Sequence, residues 1–257
     1  MELFLFATDP LVVAEAVAAG AAGGVVDWER RGKTRRQAGA DTQINADTSA
    51  DLARVRAATD GRVLCRINAW GPWTAGEVRT AITLGADEVL LPMVRATDEV
   101  DATLDLAAGR IGVGILIETQ DAVGRAAQLA ARPLSRVYLG LNDLRIDRGR
   151  TDLFEPLVDG TADSVRSCCA VPFGVAGLTV PEGGSPVPSR LLAGELARLS
   201  ASFTFLRRSF LADVPLHRFR QDIPRIQAAV QVALARREED VAADRIALQA
   251  AAGALLV

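Results

Sequence analysis

Short apolar runs alternate with Ala-rich amphipathic segments eight times along this chain, and few folds accept that rhythm. The runs predicted as strands are Glu2 to Ala7, Gly24 to Trp28, Val63 to Asn68, Glu88 to Met93, Ile111 to Glu118, Arg136 to Leu141, Phe173 to Leu178 and Ser202 to Phe210. Helical periodicity fills the gaps. Leu52, Val55 and Ala58 share a face in one segment, Val78, Ala81 and Ile82 in the next, and Val100, Leu104 and Ala107 in a third. Glycines at Gly85 and Gly109 supply the stops that let the chain turn into the following strand. Alternating β and α elements imply a parallel sheet covered by helices. Eight repeats in about 220 residues suit an α/β fold of the (β/α)8 TIM barrel type. An open doubly wound sheet would want a glycine-rich phosphate turn after its first strand, and here that strand ends in Ala-Thr-Asp-Pro.

The barrel is expected over residues 1–221, with closing and C-terminal helices over 222–257. Ile223, Ile226, Val230 and Leu234 form one apolar stripe, and a second helical stretch carries Val241, Ile246 and Leu248. An extra amphipathic helix must cover something. It packs either across its own barrel or on a neighbouring subunit, the second being the expectation.

With 49% apolar and 24% charged residues the chain can bury a large core. A net charge of -3 and the lack of a basic block argue against a nucleic-acid partner. The amino terminus has no basic n-region and reads as a strand rather than a leader. No apolar run approaches the roughly 18 residues needed to span a bilayer, so a cytoplasmic protein without a membrane partner is expected. Cys65, Cys168 and Cys169 have neither disulfide-framework nor CxxC spacing and read as small apolar residues.

Chemistry in such barrels sits at the carboxyl ends of the strands. Glu118 and Asp143 each end an apolar run, and a buried carboxylate is costly unless something cationic meets it. Residues two apart on a strand share a face. That rule groups Glu118 with Leu116 and Gly114, Asp143 with Leu139 and Leu141, Arg66 with Asn68, and Asp27 with Glu29. Four acids, one arginine and one amide are therefore expected around one opening. Each has a plainer structural reading: Asp143 as a helix N-cap, Arg66 as counterion to Asp27 or Glu29. Together the acids outnumber the cation, and hard oxygen donors suit Mg2+ or Mn2+. Zinc is disfavoured, because the only histidine is His217 and no cysteine lies beside these acids.

These residues lie in a series of motifs. Val-Val-Asp-Trp-Glu with Lys33 and Arg35 comes first, then Cys-Arg-Ile-Asn, then Gly-Ala-Asp-Glu-Val-Leu-Leu-Pro-Met-Val, Ile-Leu-Ile-Glu-Thr and Gly-Leu-Asn-Asp-Leu. Between Gly24 and Asp147 the series resembles the HpcH/HpaI aldolase and citrate lyase beta-subunit family, which folds as a phosphoenolpyruvate-binding-type barrel. The resemblance implies carbon–carbon bond making or breaking next to a carbonyl. It implies Glu118 and Asp143 as ligands of Mg2+ or Mn2+, and Arg66 holding the carboxylate and carbonyl oxygen of a 2-oxo acid. Asn68, Gly140 and Lys33 are further candidates for substrate contact, and Gly114 and Gly140 would leave room for a ligand.

Three departures bear on mechanism. The histidine that the aldolase branch carries after its second strand is absent. Asp-Trp-Glu-Arg replaces Asp-Leu-Glu-Asp, and Phe-Leu-Arg-Arg-Ser-Phe stands where the citrate lyase branch has Ile-His-Pro. The general acid/base is therefore open among Asp27, Glu29 and a metal-bound water. The expected activity is a divalent-metal-dependent lyase or aldolase working on a pyruvate- or oxaloacetate-like 2-oxo acid. The alternatives are a citramalyl- or malyl-CoA-type lyase with a coenzyme A thioester substrate, and a barrel that binds ligand without catalysis. A homotrimer or homohexamer is expected from the tail and the resemblance. Arg30 to Thr48, Arg145 to Gly160 and Pro181 to Pro188 are the loops expected to shape specificity, the first through Lys33, Arg35 and Arg36, the second through Arg145, Arg148 and Arg150, the third as a lid.

Overall fold

A computed structural model describes residues 1–33 and 46–253. Its strands are β1 (Glu2–Phe6), β2 (Gly23–Asp27), β3 (Arg62–Arg66), β4 (Glu88–Leu91), β5 (Gly112–Ile117), β6 (Arg136–Leu139), β7 (Phe173–Leu178) and β8 (Phe203–Leu206). Each pairs in parallel with the next, and β8 returns to β1 to close the barrel. The expected (β/α)8 architecture is the one observed. All eight strands lie where the apolar runs placed them, most shorter at the carboxyl end.

Strand alternation sorts the core into two layers. Phe4, Val25, Leu64, Leu90, Leu116, Phe203 and Phe205 fill the barrel interior. Leu3, Leu5, Val26, Cys65, Val89, Ile115 and Ile117 point outward into the layer shared with the helices. There they meet Leu52 and Val55 of the helix Ser49–Ala58, Val78 and Ala81 of Thr74–Thr83, and Val100 and Ala107 of Thr97–Ala107. Each valine, leucine or isoleucine among them, fully buried, contributes roughly 1.5–3 kcal/mol.

The floor of the barrel is a buried ion pair rather than more aliphatic packing. Arg136 is 1% exposed, and its Nε donates to Glu88 Oε2 at 2.5 Å. Its guanidinium lies between the rings of Phe4 and Phe203, 4.8 and 4.6 Å from their centroids. Gly114 does not open space for a ligand here. A Cβ at that position would lie 2.7 Å from Leu90 and 2.8 Å from Arg136, so the glycine makes room for those side chains.

The closing helix runs Phe219–Leu234, beginning three residues before the expected boundary. Ile223, Ile226 and Val230 are buried as expected, but Leu234 is exposed. The last helix, Glu238–Gly253, lies against the helices Ser189–Arg198 and Glu155–Val158 of the same chain. It buries Leu248 and Ala252, while Ile246 faces outward. Arg236 ties this end together by pairing with Asp244 and donating to the Gly194 carbonyl at 2.8 Å. Among the described residues no helix is long and apolar enough to cross a membrane.

Candidate active site

A cavity of about 760 Å3 opens at the carboxyl ends of the strands. Its wall includes Arg66, Lys33, Glu118, Gly140 and Asp143, five of the eight residues singled out from sequence. Asp27 and Glu29 stand directly behind Arg66 and Lys33. Asn68 is not on the wall.

The cationic side is built across two neighbouring strands. Asp27 and Arg66 are register partners on β2 and β3, so their inward side chains meet. Arg66 donates Nε to Asp27 Oδ1 at 2.8 Å and its Nη2 to Oδ2 at 2.7 Å. The Lys33 amine reaches both acids, 3.3 Å from Asp27 Oδ2 and 3.2 Å from Glu29 Oε2. Burial alone would raise the Asp27 carboxyl. The charge and hydrogen bonds of Arg66, with Lys33 behind, outweigh it and hold Asp27 below its ordinary value. Burial would likewise lower Arg66, yet Asp27 and Glu29 raise it and keep it charged.

Asn68 follows β3 and has left the strand alternation. Its Oδ1 accepts from Arg30 N and Arg31 N at 3.0 and 2.8 Å, and its amide donates to Glu77 at 2.6 Å. It ties the loop after β2 to the helix Thr74–Thr83, which leaves it turned from the cavity.

The acidic side begins one residue past β5. Glu118 is 3% exposed, and its Oε2 accepts from Met93 N at 3.1 Å. Burial, then the charges of Asp143 and Glu29, push its carboxyl up to about 8 against the pull of Arg66. Asp143 lies beyond β6, in the first turn of the helix Leu141–Asp147. It is neither a strand end nor an N-cap, since Gly140 caps that helix. The strand stops at Leu139 because Leu141 and Leu144 belong to a buried helical face.

Two backbone distortions serve this mouth. Met93 and Ala176 have φ of 55° and 57°, a region that costs a non-glycine residue about 1–3 kcal/mol. The first aims an N–H at Glu118. The second sits at an irregularity in the β7–β8 register and presents its carbonyl to the Tyr138 hydroxyl. Tyr138 is the chain's only tyrosine, lines the cavity, and is kept a neutral phenol by burial and by Glu118. Its inward place on β6 was available from alternation, but no acid or base pattern marked it. Asp47, whose Oδ2 accepts the Asp27 N–H at 2.8 Å, carried no sequence signal at all.

The loops divide. Gly184 and Ser185 of the expected lid line the cavity. Arg145 and Arg148 instead donate to Asn142, Thr151, Gln120 and Asp159 on their own side, and Arg150 faces Glu155 at 3.5 Å. Arg35 and Arg36 lie outside the described residues. His217 is exposed in the turn Leu216–Arg218 and is not among the residues lining the cavity.

No protein-family model matches the sequence. Solved structures do match the fold. A citrate lyase from Burkholderia xenovorans LB400 is similar at a TM-score of 0.62 and 16% identity, over 98% of this chain and 82% of that one. The barrel is shared with citrate lyase and HpcH/HpaI aldolase proteins. A HpcH/HpaI aldolase/citrate lyase family protein from Burkholderia cenocepacia J2315 gives 0.59 at 17% identity, over 88% and 94%. The citrate synthase SbnG gives 0.61 at 16%, over 82% and 88%. At such identities the likeness is one of fold, and the chemistry has to be argued from the cavity.

The donor set can be tested against a divalent ion on its own chemistry. Among the described residues no cluster of three or more His, Cys, Asp or Glu side chains is arranged to hold a metal. Two carboxylates on one cavity wall still suit Mg2+ or Mn2+. Magnesium commonly takes one or two carboxylates and fills its other positions with water and substrate oxygens.

Proposed function

We propose that this chain is a divalent-metal-dependent carbon–carbon lyase or aldolase acting on a 2-oxo acid. The observation that carries the reading is the pairing of Glu118 with Asp143 on one cavity wall, with Arg66 on the same wall. A carboxyl raised to about 8, by burial first and by the neighbouring Asp143 and Glu29 charges next, is a poor arrangement for stability alone. The shared fold supports the same class of chemistry by analogy.

In this reading Glu118 and Asp143 hold Mg2+ or Mn2+, which when bound supplies Lewis-acid polarisation of the 2-oxo group. Arg66 has spent Nε and one Nη2 hydrogen on Asp27. Its remaining N–H groups bind the substrate carboxylate and stabilise the negative charge developing on the carbonyl oxygen. Asp27, Glu29 and Lys33 are positioning residues that lock the guanidinium plane. Asp27 is held ionised by Arg66, which makes it a weak proton acceptor at neutral pH. Tyr138 donates its hydroxyl proton to the Ala176 carbonyl and takes no part in proton abstraction. Phe6, Leu116 and Phe205 line the cavity and exclude water from the reacting bond.

The test is release of pyruvate from 4-hydroxy-2-oxo acids, with and without Mg2+ or Mn2+, set against a citramalyl-CoA-type thioester. The reading expects turnover of the free acid that stops on chelation. It also expects Glu118→Gln and Asp143→Asn each to weaken metal binding at least tenfold, a typical loss for a ligand shell. Unchanged activity in chelator would overturn it. A homotrimer or homohexamer belongs to the same proposal, and Val232, Leu234 and Ile246, exposed on the last two helices, support an outer contact face. Sedimentation velocity checks it.

A further inference from the structure

The cations of this cavity are not alike. Although Arg66 keeps N–H groups for a ligand, Arg66 and Lys33 are paired with Asp27 and Glu29. Arg207 is not. It follows β8 directly, because that strand ends at Leu206 rather than running to Phe210, and it lines the cavity three strands round the barrel from both β3 and β5. Among the described residues no carboxylate pairs with it. Its guanidinium lies over the Phe154 ring, 5.5 Å from the centroid.

Two glycines lie against this side chain. A Cβ at Gly177 would come within 3.1 Å of Arg207 Cγ, and one at Gly184 within 3.0 Å of its Nη1. Gly177, on β7, thus leaves space for the stem of Arg207. Gly184, in the loop after it, lies beside the guanidinium and is glycine chiefly because its φ is 96° and backbone atoms of Val187 and Ser189 crowd it. Burial lowers its pKa, the sign of a cation whose lost hydration is not repaid by a neighbouring anion. Tyr138 on β6 and Ala176 on β7 line the cavity between the strands that carry Glu118 and Arg207, and Leu116 and Phe205 line it on those two strands. An oxo-acid head held at Arg66 would therefore run its carbon chain over an apolar surface toward a second guanidinium.

We infer that Arg207 is a specificity-determining residue that binds a second, distal carboxylate, so that the preferred substrates are 2-oxo dicarboxylates or their adducts rather than monocarboxylates. The inference rests on the proposed function for the head group and adds the charge at the other end. A guanidinium suits that task, since its planar fork pairs with both oxygens of a carboxylate.

Matched ligands isolate the distal charge. Binding of 2-oxoglutarate and of 2-oxopentanoate, equal in chain length, is measured by calorimetry in the presence of Mg2+ for wild type, Arg207→Met and Arg207→Lys, with acetyl-CoA as a third ligand. Wild type should prefer the dicarboxylate. Arg207→Met should lower that preference by about 10- to 100-fold, the range for loss of a charge-assisted hydrogen bond, and Arg207→Lys should restore part of it. Equal binding of the two acids by wild type, or a preference that survives in Arg207→Met, overturns the inference and leaves the lyase reading standing. A loss confined to acetyl-CoA overturns it too, by assigning Arg207 to a phosphate-bearing ligand. If wild type binds neither oxo acid, the lyase reading falls and this inference with it. Thermal melts of the variants establish that each is folded.

Discussion

Gly140 lies flush against Glu118: a Cβ built on the glycine would fall 2.4 Å from both Cγ and Oε1 of the acid. The φ of Gly140 is −87°, which any residue adopts. Space, not backbone freedom, requires glycine here. Gly140→Ala should therefore displace Glu118 while leaving the barrel folded, at about 1–3 kcal/mol for overpacking. Mn2+ affinity should fall about 10- to 100-fold, as for a disturbed ligand shell. Titration followed by electron paramagnetic resonance reads this directly, and unchanged affinity would remove Glu118 from the metal site.

The two sides of the mouth should respond to pH in opposite directions. Glu118 is raised from 4.5 to about 8 in the folded chain. The metal-free folded state then holds more protons than the unfolded one between those values, so stability falls as pH rises through that window, by at most about 1.4 kcal/mol per unit. Asp27 is depressed from 3.8, so its contribution is present above that value and is lost as pH falls below it. Urea melts in chelator from pH 3 to 9 should show both slopes. Glu118→Gln should flatten the upper one and leave the lower.

Removing the partner of Arg66 separates orientation from charge. Asp27→Asn keeps the shape but withdraws the two-pronged acceptor. Breaking a buried pair from one side costs about 3–5 kcal/mol. A guanidinium displaced by about 1 Å lowers kcat/KM on the order of 10²-fold. Asp27→Glu should recover less stability than its charge suggests, because the register of β2 against β3 sets the reach. A variant with full kcat/KM would show that Arg66 needs no orienting acid.

The floor of the barrel offers a control far from the chemistry. Arg136→Ala strands Glu88 as a buried carboxylate and should cost about 3–5 kcal/mol. Arg136→Met with Glu88→Gln removes both charges and should cost much less. Chemical denaturation measures the difference, and metal affinity should be unaffected in each.

The barrel was legible because periodicity alone places strands and helices, and alternation alone assigns faces. Cys65 and Ile67 point outward and Arg66 inward, as that rule requires. The rule failed where strands ended. Asn68 and Asp143 sit past those ends, and neither extends its strand's alternation. The absence of a signal at Tyr138 and Arg207 has the same root. A side chain's place in a cavity depends on neighbours from distant strands, here the bulge at Ala176 and the glycines at 177 and 184.

The amino-acid sequence by itself determined the fold and the inward faces of Asp27, Arg66 and Glu118, since these follow from local periodicity and the cost of burying charge. Only the tertiary structure decided how those charges are shared. Asp27 and Glu29 meet Arg66 and Lys33 across β2 and β3, Glu118 shares its cavity wall with Asp143 from the next loop over, and Arg207 lies without a carboxylate of its own among the described residues. Electrostatic pairing acts over a few ångströms through space, and chain separation carries no record of it until the barrel closes.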